Sequence, residues 1–352
     1  MPNACPIDLL RRIAVPLLSL LLSACSTIDY YAHLGQGQWQ LLHAREPVQR
    51  LLEDPTTDPD LARRLTLSQQ ARDFASTQLQ LPENRSYRLY ADLGRPFVVW
   101  NVFATPEFSL EPELHCFPIA GCVAYRGYYQ QGRARGAAAL LRQQGLDTYV
   151  GGVEAYSTLG WFDDPLLNTM LRWSDERFIA VIFHELAHQR FYLPGDTAFN
   201  ESFATFVERE GLRQWHAARG ETPPASDDHQ RQQFIELVLA SRERLKQLYA
   251  SDLPEQAMRA AKQADFERLR RDYRAMRQQW GGQGRYDAWI ESPLNNAKLL
   301  PFGLYDQWVP AFAALFEQHR RDWRAFYAAV AALGQLPEAD RRARLESLLQ
   351  ND

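Results

Sequence analysis

Apolar residues recur every three or four positions through much of the second half of the chain, which predicts helix. One stripe runs through Phe266, Leu269, Tyr273, Met276 and Trp280, and another through Phe234, Leu237, Ser241, Leu245 and Leu248. Pro254 separates them and Gly281-Gly282 follows, so residues from about 227 to 280 read as a long helical hairpin. The many Arg and Gln residues opposite the stripes read as a solvated face, with a partner-binding surface as the alternative. Ser174-Asp-Glu-Arg-Phe-Ile-Ala-Val-Ile-Phe183 reads as a capped apolar helix. Upstream the pattern changes. Residues 29 to about 80 read as helix with a break at Pro47, which suits a first helical turn, and a new start at Asp58-Pro59. Tyr87 to Ala91, Pro96 to Phe103, Cys122 to Tyr129 and Asp147 to Tyr156 are rich in aromatic and β-branched residues and read as strands; residues 130–144 read as a helix. The expectation is an α+β fold, a small and mostly antiparallel sheet packed on helices. Helices and sheet fill residues 25–165 and a helical region fills 166–352, together forming one compact unit.

The first 24 residues follow another rule. Arg11-Arg12 precede an apolar run from Ile13 to Leu22, a basic segment and core of secretory-signal length, too short for a comfortable membrane span. The run ends in Leu22-Ser-Ala-Cys25, which resembles the lipobox of bacterial lipoproteins. That resemblance implies cleavage before Cys25, acylation of Cys25, and a membrane anchor at the start of the mature chain. Ser26 after the cysteine points to the outer membrane of a Gram-negative envelope, facing the periplasm. Cys5 would leave with the signal. Cys116 and Cys122 then remain, flanking a Pro/Gly turn, and in an oxidising compartment they read as a local disulfide, with two free thiols as the alternative. Lys and Arg number 39 against 43 Asp and Glu, a net charge of −4, so there is no basic field to hold nucleic acid.

The candidate chemistry lies in His184-Glu185-Leu-Ala-His188. On a helix the two histidines share one face, and both can reach one zinc ion. Glu185 lies beside them, positioned to act as general base. A catalytic zinc needs a third protein ligand. Glu201, thirteen residues after His188 in Phe199-Asn-Glu-Ser-Phe-Ala204, is the first candidate and Glu208 the second. Glu201, Thr205 and Glu208 share a helical face, so Glu208 can instead support the ligands from behind. A buried His-Glu-His cluster without metal is the bland alternative, and it is costly to bury unpaired.

This arrangement looks like a gluzincin, with Asn200-Glu201 resembling the Asn-Glu pair of the thermolysin-like enzymes. It departs from them in spacing, since those place their glutamate some six residues further along. The resemblance implies a zincin-like helical domain, one zinc ion per chain, and a downstream Tyr or His as oxyanion donor. Tyr305 is the candidate, with His216, His229 and His319 as alternatives. Gly152-Val-Glu-Ala-Tyr156 loosely matches the strand by which alanyl-type enzymes hold a substrate ammonium, which singles out Glu154. Nearly the full chain also resembles a family of bacterial lipoproteins described as predicted aminopeptidases. Its carriers are Tyr30-Tyr31, Ala44-Arg-Glu-Pro47, Tyr156-Ser-Thr-Leu-Gly-Trp-Phe-Asp163, His184 to Gln189, Phe199 to Ala204, and Leu294-Asn-Asn-Ala297 with Tyr305. This implies a membrane-anchored zinc metallopeptidase acting on peptides, an aminopeptidase ahead of an endopeptidase. The competing reading is a non-catalytic envelope lipoprotein with a structural zinc site, acting as an assembly factor. No particular protein partner is indicated.

Overall fold

The structure is a computed structural model that describes residues 27–117, 121–155, 157–222, 227–282, 284–302 and 308–349. Cys25, Tyr156 and Tyr305 lie outside the described residues.

The chain opens with a helix over residues 27–43 (α1). Pro47 behaves differently from the expectation. It ends a three-residue strand, β1 (Arg45–Pro47), and stands just before α2 (Val48–Glu53) with an extended ψ of 127°. The physical reason is its place in the sheet. Strand order is β1-β2-β8, so β1 is an edge strand, where a residue without an N–H is tolerated. After α3 (Pro59–Thr77), β2 (Leu89–Ala91) pairs antiparallel with β1 and parallel with β8 (Leu166–Leu167), a two-residue strand too short to show any periodicity.

A second sheet has the order β6-β3-β7 and is wholly antiparallel. It comprises β3 (Val99–Pro106), β6 (Arg126–Tyr128) and β7 (Leu146–Val153). Between β3 and β6, β4 (His115–Phe117) and β5 (Gly121–Val123) form a hairpin in which Cys116 and Cys122 oppose each other and are joined by a disulfide. Helix α4 (Gln131–Gln143) covers the second sheet through Ala134 and Ala138, packed with Trp100, Val102, Tyr128 and Tyr30 of α1.

The remaining elements are mainly helical. The main core is built by α3, α5 (Asp175–Arg190), α6 (Thr197–Arg219), α11 (Val309–Gln318), α12 (Trp323–Gly334) and α13 (Glu338–Leu349). Helix α6 approaches α5 closely at Gly211, where an added Cβ would stand 2.8 Å from Leu79 Cδ1 and 2.9 Å from Phe183 Cδ2. The hairpin of α7 (Asp227–Tyr249) and α8 (Glu255–Gln279) has its own core of Phe234, Val238, Leu245, Phe266, Leu269 and Tyr273, shared with α9 (Asp287–Glu291) and α10 (Asn296–Leu299). It is tied to the second sheet by buried Lys262, whose Nζ lies 2.7 Å from both Asp147 Oδ2 and the Glu107 carbonyl. Asn296 reinforces the tie by donating to the Glu107 and Ser109 carbonyls. Among the described residues, no helix is long and apolar enough to cross a membrane.

Candidate metal centre

Helix α5 is fixed before it reaches its polar residues. Ser174 caps it by accepting from the Arg177 N–H at 3.3 Å, and Asp175 and Glu176 complement the positive end of the helix. Arg63 and Arg64 of α3 both pair with Asp175. Phe178, Ile179, Ile182, Phe183, Leu186 and Ala187 are buried, which commits that face to the core. His184 and His188, four residues apart, therefore lie together, with rings 4.8 Å apart.

The turn after α5 is equally constrained. Phe191 is extended and packs edge-on against Phe199 and Phe203. The Asn200 side chain accepts from the Leu193 N–H and donates to the Leu193 carbonyl, both at 2.7 Å. Asp196 caps α6 by accepting from Phe199 N–H, and Arg341 of α13 grips Asp196 at 2.8 Å. Asn200 thus locks the turn, and the next residue, Glu201, is delivered to the histidines. This six-residue connection (191–196) explains why the glutamate follows so soon after His188.

His184 Nε2 lies 3.2 Å from His188 Nε2 and 3.4 Å from Glu201 Oε2, and His188 Nε2 lies 3.7 Å from the same oxygen. A tetrahedron with ligands at about 2.0–2.1 Å has edges of about 3.3–3.4 Å. Two imidazole nitrogens facing each other at this range repel unless a proton or a cation lies between them. The three residues could hold a metal ion. Glu208 does not join them. Its Oε2 accepts from the far nitrogen of His184, Nδ1, at 2.9 Å, which turns Nε2 toward the cluster. Among the described residues His188 has no equivalent support, since its buried Nδ1 meets no hydrogen-bond partner there.

Without an ion, the cluster holds itself together as an ion pair, and a bound cation would take the place of the His184 proton. Burial would lower the His184 pKa, but hydrogen bonds to Glu201 and Glu208 hold it well above its usual value. Burial would raise Glu201, yet the two histidines bring it down to about 2. Glu208 is lowered against its burial by His184. Tyr192 stands against this side of the site, with its ring 6.3 Å from that of His188.

Glu185 follows His184 on α5 and lies within electrostatic range of two further buried groups. It acts electrostatically on the buried Tyr87 hydroxyl and on the Asp164 carboxyl. Burial pushes Asp164 up to about 6, against hydrogen bonds from Thr158 and Ser157, and Glu185 adds to the rise. Tyr87 has a φ of 64°, and its N–H donates to the Asp164 carbonyl at 2.7 Å. Buried Arg72 of α3 holds the preceding segment by donating to the Pro82, Asn84 and Ser86 carbonyls.

Other sequence candidates lie elsewhere. His216 pairs with Glu176 and Glu221, and neither His229 nor His319 belongs to the cluster. Glu154 already has internal partners in the Trp173 indole at 2.7 Å and Arg177 at 3.4 Å, which compete with any substrate ammonium. Tyr192, Asp164 and the clamp formed by Asn200 were not foreseen. The only advance signal was the Asn-Glu pair itself.

Comparison with curated proteins and with solved structures returned no match. One family model does match, over residues 29–345, and it is described as "Putative aminopeptidase". The match runs from α1 into α13 and contains His184, His188 and Glu201, so the chain belongs to this aminopeptidase family.

Proposed function

We propose that this chain is a zinc-dependent peptidase, anchored by lipid at Cys25 to the periplasmic face of the outer membrane and releasing residues from peptide N-termini. The observation that carries the chemistry is the triangle of Nε2, Nε2 and Oε2 atoms with edges of 3.2, 3.4 and 3.7 Å. Two imidazoles and a carboxylate are the donor set of a catalytic zinc that keeps an open position. Zinc held there supplies a Lewis acid that polarises a carbonyl and brings the pKa of water close to neutrality.

The chain's own groups do the rest. His184, held by Glu208, and His188 and Glu201 bind the ion. Glu185 takes a proton from the attacking water and returns it to the leaving amine. Tyr305 remains the sequence's candidate donor to the developing oxyanion, and Tyr192, whose ring lies 6.3 Å from that of His188, is a second. The lipid anchor is supported by Leu22-Ser-Ala-Cys25 with Ser26 following.

The test begins with metal content of protein starting at Ser26. About one zinc per chain, lost in His184→Ala, is expected. Glu185→Gln should then retain zinc while hydrolysis falls at least a hundredfold. Free and amino-blocked versions of one peptide separate the modes, since an aminopeptidase cleaves only the free one. Folded protein that neither contains nor takes up zinc would overturn the proposal.

A further inference from the structure

The segment Ser157 to Asp164 is built like a binding element. The Asp164 carboxylate accepts from the Thr158 N–H at 3.0 Å, from Thr158 Oγ1 at 2.8 Å and from Ser157 Oγ at 3.3 Å. The Trp161 N–H donates to the Thr158 carbonyl at 3.1 Å, and the Phe162 N–H donates to Thr158 Oγ1 at 3.0 Å. Arg45 of β1 reaches across to donate to the Asp163 carbonyl at 2.9 Å. Within this clamp Leu159 and Gly160 are both left-handed, with φ of 56° and 83°, and for leucine that conformation is strained.

The result of this rigidity is unusual for a loop. It presents Trp161 at 72% exposure and Phe162 at 47%. A clamped, strained backbone that holds two large aromatic side chains in water gains nothing for folding. Its position supplies a reason. A Cβ on Gly160 would lie 3.5 Å from the Gln189 side chain, and Gln189 Nε2 bonds Ser86 Oγ at 3.2 Å and reaches Asp164 Oδ2 at 3.4 Å. Gln189 follows His188 directly and lies four residues after Glu185, on the same face of α5. The loop therefore borders the face of α5 that carries Glu185, while the half-exposed Tyr192 borders His188.

We infer that Trp161 and Phe162 form a substrate subsite that receives a large apolar or aromatic side chain next to the scissile bond. This rests on the peptidase reading above. The approach of this loop to Gln189, the residue after His188, points to the peptide being cleaved as the occupant, and the aromatic surfaces point to an apolar side chain.

The test uses the zinc-loaded mature chain and two peptides that differ only in Phe or Ala at the residue before the cleaved bond. The wild type should favour Phe by about 10–100-fold in kcat/KM, and Trp161→Ser/Phe162→Ser should reduce that ratio about tenfold. An unchanged ratio, or a wild-type preference for Ala or for a Lys analogue, overturns the inference while the peptidase reading stands. Binding gives an independent readout. The Phe peptide should change the tryptophan fluorescence of Glu185→Gln protein, and Trp161→Phe in that background should remove the change. If no peptide is hydrolysed but this signal appears, the peptidase reading fails and the subsite survives. If the signal is absent, or persists without Trp161, the subsite is wrong.

Discussion

Replacing Glu208 examines the support of the proposed zinc site most directly. Its Oε2 meets His184 Nδ1 at 2.9 Å, in a pair whose side chains are 20% and 15% exposed. A hydrogen bond to a charged acceptor contributes about 1.5–3 kcal/mol, and loss of such an outer partner typically costs about 10–100-fold in metal affinity, or about 1.4–2.8 kcal/mol. The two ranges agree because both describe one event, the freeing of the His184 ring and of its tautomer. Glu208→Gln keeps an accepting oxygen and loses the charge, so it belongs at the tenfold end. Glu208→Ala belongs near the hundredfold end. His184→Ala removes a ligand and should be worse than either. Zinc dissociation constants from competition with a chromophoric chelator at fixed pH measure all three. Equal losses in Glu208→Ala and His184→Ala would make Glu208 a ligand and refute the geometry argued here. Unaltered affinity in Glu208→Ala would refute the orienting role.

Tyr192→Phe should lower kcat and kcat/KM together by about a hundredfold with zinc content intact, whereas a rise in KM alone would mark a simple binding contact. Asp164 has a folded pKa of about 6, above its ordinary value of 3.8, so its contribution to stability is full below the lower value and lost as pH rises through the upper one. Relative to Asp164→Asn, the wild type should lose about 2 kcal/mol of unfolding free energy between about pH 4.5 and about pH 7; a constant difference in urea titrations would contradict this. Gly211→Ala gains up to about 1 kcal/mol of helix propensity but meets Leu79 and Phe183, and overpacking costs about 1–3 kcal/mol, so net destabilisation is expected. A higher urea midpoint would show that α5 and α6 can separate freely at that point.

The elements with long periodicity were legible in the sequence. The hairpin stripes, the cap at Ser174 and the strands β3 and β7 all follow from spacing and residue type. The strands β1 and β8 did not, because two or three residues carry no pattern and their pairing is decided by tertiary context. The gathering of His184, His188 and Glu201 was legible because two of the residues lie on one helix and the third follows a short turn. The role of Asp164 was hidden. Its partners are backbone groups and hydroxyls of a loop whose shape depends on left-handed residues, and nothing in the order Ser-Thr-Leu-Gly-Trp-Phe announces that. Tyr192 was hidden for a similar reason, since an aromatic residue after a helix is as compatible with the core as with a cleft.

The clamp of Asn200 on Leu193 has a consequence for how the protein assembles. It helps confine the three candidate ligands to residues 184–201, a contour of eighteen residues. Closing so short a loop costs little chain entropy, and each doubling of length would add only about 0.6 kcal/mol. On the zinc reading, the ligand atoms all come from one helical pair and its turn, while Arg341 on Asp196 and Arg63 and Arg64 on Asp175 tie that pair to the rest of the core. If the cluster holds zinc as proposed, a chelator should loosen α5 and α6 against each other and leave the α7–α8 hairpin and the β6-β3-β7 sheet standing.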